Sequence, residues 1–177
     1  MDATLVLAIV SADRPGVVNA VASVVTHHGG NWVESSLTRL GGAFAGIARI
    51  EIDHDAVAPL LTALEVLADE GVTVTAVQGG ASPAPAGLPA HLSLTCTDHP
   101  GVVRRVSGVL TGHGVSFETL ETRVFLGSMS GEHLFEAKAA IRLPPGLSPD
   151  TLRAGLEEIA RDLMADIDLD APTLQAV

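Results

Sequence analysis

The chain has one cysteine, no tyrosine and few other aromatic residues, and its hydrophobic runs are short. The single cysteine, Cys96, excludes an internal disulfide and a cysteine-based metal cluster, so a reducing cytoplasm is the simplest location. The run Leu5–Val10 is typical, and none approaches the roughly 18 consecutive apolar residues of a membrane span. Met1–Thr4 lacks the basic start of a signal peptide, so we expect no secretion signal.

Positive charge is scarce as well. Ten Lys and Arg residues stand against 21 Asp and Glu residues, which gives a net charge of −11. A chain with this excess of negative charge is repelled by phosphate groups. We therefore expect neither direct nucleic-acid binding nor binding to an anionic membrane.

One motif occurs twice. Asp13–Val18 reads D-R-P-G-V-V and Asp98–Val103 reads D-H-P-G-V-V, and a His-Gly pair follows each at the same distance, at His28 and His113. The offset is 85 residues for both features (98 − 13 and 113 − 28). A repeat at one fixed offset indicates duplication of a whole unit. The sequence thus predicts a first domain over 1–78, a Gly/Pro/Ala-rich linker over 79–90 and a second domain over 91–177.

Hydrophobic periodicity gives each half the order β-α-β-β-α-β, which is the ferredoxin-like arrangement of the α+β class. Right-handed crossovers then put both helices on one face of a four-stranded antiparallel sheet, with the first and third strands central. The bare face and the sheet edges need cover, so we expect side-by-side or face-to-face pairing of the halves, and a homodimer. The predicted strands cover about 3–11, 31–40, 43–52, 72–76, 92–96, 115–126, 132–143 and 167–169; the predicted helices cover about 15–28, 57–67, 102–110 and 152–163.

Common catalytic motifs are missing from the sequence, including G-x-x-x-x-G-K, H-E-x-x-H and G-x-S-x-G. His27 and His28 are adjacent, so on a helix they point about 100° apart and share one metal ion poorly. A cleft containing Glu118, Glu121 or His133 is the remaining catalytic alternative. We predict no enzyme activity, no metal and no cofactor.

The repeated loops offer a binding chemistry. A strand end, then Asp-x-Pro-Gly, then a helix start places free backbone N–H groups and a positive dipole end beside a carboxylate. Amides can take an α-carboxylate while Asp13 or Asp98 takes an α-ammonium, and Asn31 is expected next to them. The alternative is structural: Asp caps, Pro starts the helix and Gly relieves a tight turn.

The motif D-x-P-G-V-V followed by H-G-G-N or H-G-V-S resembles the ACT domain, and the tandem arrangement is similar to the glycine cleavage system transcriptional repressor group. The resemblance implies amino-acid binding at interfaces between paired domains, by the strand-to-helix loop and the start of the second strand. The residues so implicated are Asp13, Arg14, Pro15, Gly16, Val17 and Asn31, with Asp98, His99, Pro100, Gly101, Val102 and Ser116 in the second copy.

The resemblance also implies a non-catalytic amino-acid sensor that regulates a protein partner such as a transcription factor, with glycine or serine as the expected ligand. A free-standing regulatory subunit of an amino-acid metabolic enzyme and a ligand-free assembly module are the alternatives. Ser116 replaces Asn31 and His99 replaces Arg14 in the second copy. The first half is therefore expected to bind ligand better than the second.

Overall fold

The computed structural model describes residues 2–80, 86–127 and 131–172. The chain forms two compact units, Met1–Ser82 and Pro83–Val177. The first unit contains β1 (Asp2–Ala12), α1 (Val17–His27), β2 (Asn31–Leu40), β3 (Ala43–Asp53), α2 (Val57–Val66) and β4 (Val72–Gln78). Its sheet has the order β2-β3-β1-β4, and each neighbouring pair is antiparallel.

The second unit repeats this order. It contains β5 (Leu88–Thr97), α3 (Val102–Gly112), β6 (Ser116–Leu126), β7 (His133–Leu143), α4 (Pro149–Leu163) and β8 (Asp166–Asp170). Its sheet has the order β6-β7-β5-β8, again antiparallel throughout. The prediction of two ferredoxin-like βαββαβ units with central first and third strands is confirmed.

The first helix of each unit begins at a glycine. Gly16 and Gly101 precede α1 and α3 with φ of 94° and 97°, a left-handed conformation that residues with a Cβ rarely adopt. α4 begins differently, since Ser148 accepts a hydrogen bond from the Thr151 N–H (3.1 Å) and Pro149 takes the first helical position. Because the glycines replace a capping side chain, the starts of α1 and α3 stay open.

Each core lies between the sheet and its two helices. In the first unit the apolar side chains of β1 and β3 meet those of α1 and α2 on one face of the sheet. The buried set there is Leu5, Leu7, Ile9, Val17, Val21, Val25, Ala48, Ile50, Ile52, Leu60, Leu64, Leu67 and Val72. A separate buried cluster, from Ala90 to Leu169, forms the core of the second unit. Neither helix of the first unit, as described over residues 2–80, lies on the opposite face of its sheet, where Val10, Ile47 and Val77 are exposed.

The predicted linker, residues 79–90, is described only in part, because 81–85 lie outside the described residues. Leu88–Ala90 belong to β5, so this strand begins before the predicted start of the second domain at 91. The exact extent of the linker stays a prediction.

Gly46 in β3 lies where the neighbouring strand leaves no room for a side chain. A methyl group on Gly46 would overlap the Ser36 carbonyl oxygen and lie 2.7 Å from the Cα of Leu37. We expect Gly46→Ala to lower the free energy of unfolding by about 1–3 kcal/mol, because backbone atoms of β2 must move. Urea unfolding monitored by circular dichroism measures this change.

Gly108 provides the matched control. It lies within α3, and a Cβ added there meets nothing within 4 Å. Gly108→Ala should stabilise the protein by about 0.5–1 kcal/mol through helix propensity. If both alanine variants were equally stable, the contact between β2 and Gly46 would not constrain the sheet.

Cys96 is only 4% exposed within β5. Burial raises the pKa of its thiol, and the nearby negative charge of Asp98 raises it further. The native thiol should therefore react slowly with an aromatic disulfide reagent at pH 8 and rapidly in urea. Because the folded pKa exceeds the unfolded one, this thiol's contribution to stability is complete below the unfolded pKa and is lost as pH rises through the folded pKa. Equal reaction rates in the folded and unfolded protein would contradict burial.

Candidate ligand-binding site

The loop between β1 and α1 is fixed to the β2–β3 hairpin. The Asp13 backbone N–H donates to the Gly42 carbonyl oxygen (2.9 Å), and the Gly16 carbonyl accepts from the Ala20 N–H (2.9 Å) as the first helical bond. No side chain caps α1. The N–H groups of Val17, Val18 and Asn19 precede that first bonded N–H, so they lack an intrahelical acceptor and carry the positive end of the helix dipole.

A surface groove runs along this loop. It is open to solvent and is lined by residues of the loop, of α1 and of β3. The lining residues are Asp13, Arg14, Gly16, Val17, Val18, Asn19, Ala22 and Phe44. The groove therefore combines a carboxylate, uncapped amides and a small apolar wall. Four of the residues implicated from the sequence lie in this loop, namely Asp13, Arg14, Pro15 and Gly16, and a fifth, Val17, is the first residue of α1.

Both charged residues of the loop already have partners. Arg39 Nη1 lies 3.2 Å from Asp13 Oδ2, and Arg14 Nη2 donates to the Glu70 carbonyl oxygen (2.6 Å). The Arg39 side chain is 72% exposed, so water screens its ion pair and little energy is needed to break it. Arg39 thus balances the charge of Asp13, but the ion pair is weak enough for another cation to replace Arg39.

Arg39 and Phe44 are site residues that the sequence reading missed. They face each other across β2 and β3, two pairs from the Gly41-Gly42 turn. The pairing of Arg39 with Phe44 could have been predicted from the sequence. A two-residue turn at these glycines pairs Leu40 with Ala43 and hence Arg39 with Phe44. What the sequence did not give is the contact of the hairpin end with the β1–α1 loop.

Asn31 does not lie beside this loop. It pairs with Glu51, which pairs with Thr4, whereas Asp13 follows the Ala12–Ala43 pair at the other end of the sheet. Eight residue steps along β1 separate the two ends (12 − 4), which at about 3.3 Å per residue is about 26 Å. The expectation that Asn31 lies next to the loop of its own unit is wrong, because α1 runs back along the sheet before β2 begins.

The second loop repeats the backbone geometry of the first. The Asp98 N–H donates to the His133 carbonyl oxygen (2.8 Å), and the Gly101 carbonyl accepts from the Arg105 N–H (3.0 Å). His99 Nδ1 lies 3.3 Å from the Pro100 carbonyl oxygen. Asp98, His99, Pro100, Gly101 and Val102 therefore lie together at the start of α3.

The two loops differ in their surroundings. Val124 holds the position of Arg39 at the 85-residue offset, so it cannot form the ion pair that Asp13 has. Ser116 pairs with Arg142, which pairs with Pro89, so Ser116 lies at the far end of its sheet from Asp98. The second copy thus separates its predicted site residues in the same way as the first.

The residues considered for catalysis are dispersed. Glu118 accepts from Arg142 Nε (2.6 Å), Glu121 pairs across the sheet with Lys138, and His133 lies at the hairpin end of β7. His28 Nδ1 lies 2.8 Å from the Val24 carbonyl oxygen, an ordinary bond at a helix end. Within the described ranges, no three His, Cys, Asp or Glu residues form a group that could hold a metal ion.

Among acidic groups, Glu136 shows a shift with a clear structural cause. The hydrogen bond from Arg123 Nε (2.6 Å) lowers the pKa of the Glu136 carboxyl and raises that of the guanidinium. This pair joins β6 and β7 of the second unit, and its chemistry is that of a surface ion pair. None of the helices in the described part of the chain is both long and apolar enough to cross a bilayer.

Structural comparison matches nearly the whole chain to solved structures of similar length. A protein of unknown function from Galdieria sulphuraria matches with a TM-score of 0.86 and 23% identity, over 98% of this chain and 100% of that one. A protein named "putative glycine cleavage system transcriptional repressor" matches with a TM-score of 0.74 and 17% identity, over 98% and 99%. At these identities the likeness establishes the fold.

The sequence comparisons address the first unit. The family model of the ACT domain matches residues 3–76. No curated protein matches the chain in sequence. Since the matched range spans β1 to β4 and the second unit has the same strand order, the first unit is an ACT domain and the second repeats the ACT-like fold.

Proposed function

We propose that the protein is a non-catalytic amino-acid sensor of the cytoplasm that acts through a protein partner. The observation that carries this proposal is the groove at the first loop, where the Asp13 carboxylate lies beside the uncapped start of α1. Amino-acid binding is typical of ACT domains, and the first unit is one. The groove supplies the two complementary charges that a zwitterion needs.

A bound amino acid would present its two charged groups to different parts of the loop and the helix start. Its α-carboxylate would accept from the free N–H groups of Val17, Val18 and Asn19, where the helix dipole favours negative charge. Its α-ammonium would approach Asp13 in place of, or beside, Arg39. A Cβ added at Gly16 would meet nothing within 4 Å, so the backbone there is open to a ligand.

The ligand we propose is small, with glycine and serine as the first candidates. The groove wall beyond the helix start consists of Val18, Ala22 and Phe44, and Val18 is exposed. A shallow wall of this kind gives little burial to a large side chain. The charged ends of the ligand therefore supply most of the binding energy.

The first unit is proposed as the main binding domain. Arg39 is replaced by Val124 and Arg14 by His99 in the second unit, so its loop lacks both guanidinium groups of the first. We infer that the second unit serves the partner contact or the architecture more than ligand binding.

Regulation through a protein partner is consistent with the charge of the chain. With a net charge of −11, direct contact with DNA phosphates is unfavourable, so control of transcription would be indirect. The structural similarity to a protein named as a glycine cleavage system repressor suggests a transcription factor as partner. The second candidate partner is a metabolic enzyme, with this chain as its regulatory subunit. Ligand can regulate either partner only by binding two states of the sensor with different affinity.

Thermal shift measurements test the sensor hypothesis. Purified protein is heated with each common amino acid at millimolar concentration, with glycine and serine included. A ligand that binds only the folded state raises Tm by mass action, and at about 100 times Kd the gain is about 2.7 kcal/mol, or several degrees. Asp13→Asn should abolish the shift, because the ammonium loses its counter-charge while the loop keeps its shape.

Asp98→Asn is the matched control, since it makes the same change in the second loop. It should leave most of the shift intact. No shift with any amino acid in the unmodified protein would contradict ligand sensing and favour the assembly module. Affinity capture with the unmodified protein as bait then separates a transcription factor from a metabolic enzyme as partner.

The position of Asn31 gives a second test. Since Asn31 lies about 26 Å from the loop of its own unit, a site within that unit cannot contain both Asn31 and Asp13. Calorimetric titration should therefore show binding lost in Asp13→Asn and retained in Asn31→Ala and in Ser116→Ala. Loss in both Asp13→Asn and Asn31→Ala would mean instead that a second ACT domain completes the site with its own second strand.

A further inference from the structure

One ion pair joins the β1–α1 loop to the edge strand of the first sheet. Arg39 of β2 reaches Asp13 with 3.2 Å between Nη1 and Oδ2. The Arg39 side chain is 72% exposed, whereas the Asp13 side chain is 35% exposed. The carboxylate is thus partly enclosed by the groove that it lines, while its partner lies mostly in water.

The shape of the loop does not depend on this ion pair. The Asp13 N–H donates to the Gly42 carbonyl oxygen (2.9 Å), so a backbone hydrogen bond already holds the hairpin end against the loop. The backbone of Arg39 is held in β2 by its pairing with Phe44. The guanidinium can therefore leave Asp13 by rotation of its own side chain, with no movement of either strand.

Arg14, the other guanidinium of the site, has a different partner. Its Nη2 donates to the Glu70 carbonyl oxygen (2.6 Å). Glu70 is the last residue of a short 3₁₀ helix, Leu67–Glu70, that continues α2, and a positive charge is favoured at the carbonyl end of a helix. Arg14 is thus held by backbone, whereas Arg39 is the positive side chain that neutralises Asp13.

The second unit forms the same loop without such a pair. The Asp98 N–H donates to the His133 carbonyl oxygen (2.8 Å), which is the equivalent of the backbone bond that holds the first loop. Val124 holds the position of Arg39 there and offers no charge. Since this loop forms beside a valine, the fold does not require an arginine at this position.

We propose that Arg39 is a displaceable counter-ion of Asp13 that controls access to the first site. In the free protein its guanidinium pairs with the carboxylate. When an amino acid binds, the α-ammonium takes that place and Arg39 is released into water. This inference rests on the proposed amino-acid binding at the first loop and adds an internal competitor to it. Because the pair is exposed, Arg39 lowers ligand affinity without preventing binding.

Displacement supplies the two states that regulation of a partner requires. Arg39 is paired with Asp13 in one state and free in the other, so the two states differ in charge at the end of the hairpin, where Leu40 is 79% exposed. A carboxylate of the partner protein that holds the free guanidinium favours the ligand-bound state. By reciprocity, the ligand strengthens that contact by the same factor.

Calorimetric titration with the amino acids that raise Tm, glycine and serine first, tests the proposal. Arg39→Gln should tighten binding by about two- to fivefold, the factor by which an exposed ion pair can compete. Arg39→Lys keeps a competing cation and should restore the weaker binding. Added salt should weaken binding more in Arg39→Gln than in the unmodified chain, where the ligand replaces one ion pair with another.

Arg49→Gln is the matched control. Arg49 lies 3.3 Å from Glu34 in an exposed ion pair of the same sheet, and it is not among the residues that line the groove. Its substitution removes the same charge, so both glutamine variants have a net charge of −12 (−11 − 1). Arg49→Gln should leave glycine binding unchanged. Equal tightening in both variants would assign the effect to overall charge and overturn the proposal.

Nuclear magnetic resonance follows the displacement directly. Added glycine should move the Arg39 Nε–H signal toward its position in Asp13→Asn, while the amide signals of Val17, Val18 and Asn19 move as the groove fills. Weaker binding in Arg39→Gln, or a fixed Arg39 signal while those amides move, would overturn the proposal and leave the proposed function intact. No change of either kind with any common amino acid would contradict the proposed function itself, and this proposal with it.

Discussion

Each unit packs both of its helices on the same face of its sheet, and most other features of the molecule depend on this one-sided packing. The connections β1–α1–β2 and β3–α2–β4 must be right-handed, so neither helix can reach the opposite face. The helix side becomes a core that includes Leu7, Ile50 and Leu60, each fully buried. The other side is left to be solvated or covered, and its chemistry is free to differ between the two units.

The same packing places the candidate site. α1 must reverse direction as soon as β1 ends, and the left-handed Gly16 makes that reversal possible within a short loop. This reversal leaves the start of α1 without a capping side chain. The end of the β2–β3 hairpin lies next to it, because the Asp13 N–H donates to the Gly42 carbonyl oxygen. A carboxylate, free amides and Phe44 are thereby brought to one groove. The chain reversal at Gly16 therefore both starts α1 and forms the groove.

The order and type of the elements could be predicted from the sequence, because repeat, periodicity and glycine placement all agree. The residues of the loop itself could also be predicted, since they are contiguous. The prediction from sequence failed for Asn31, which begins β2 shortly after the end of α1 and so lies a helix length away from Asp13. It also missed Arg39, whose contact with Asp13 needs the position of the hairpin relative to the loop. Both failures concern residues that are distant in sequence, for which local pattern carries no geometric information.

The two units differ in sequence mainly at positions whose side chains the fold does not constrain. The helix-starting glycines and the core positions are retained in kind, since Leu7 and Ile9 correspond to Leu92 and Leu94. The sheet face without helices is apolar in the first unit and polar or charged in the second. Arg39, which pairs with Asp13 in the first unit, is replaced by Val124 in the second. Neither change is required by the core of its own domain, because Arg39, Val10, Ile47 and Val77 are all exposed. Such exposed positions can change without loss of the fold, and ligand binding at the first loop is the reason we propose for Arg39 in the first unit.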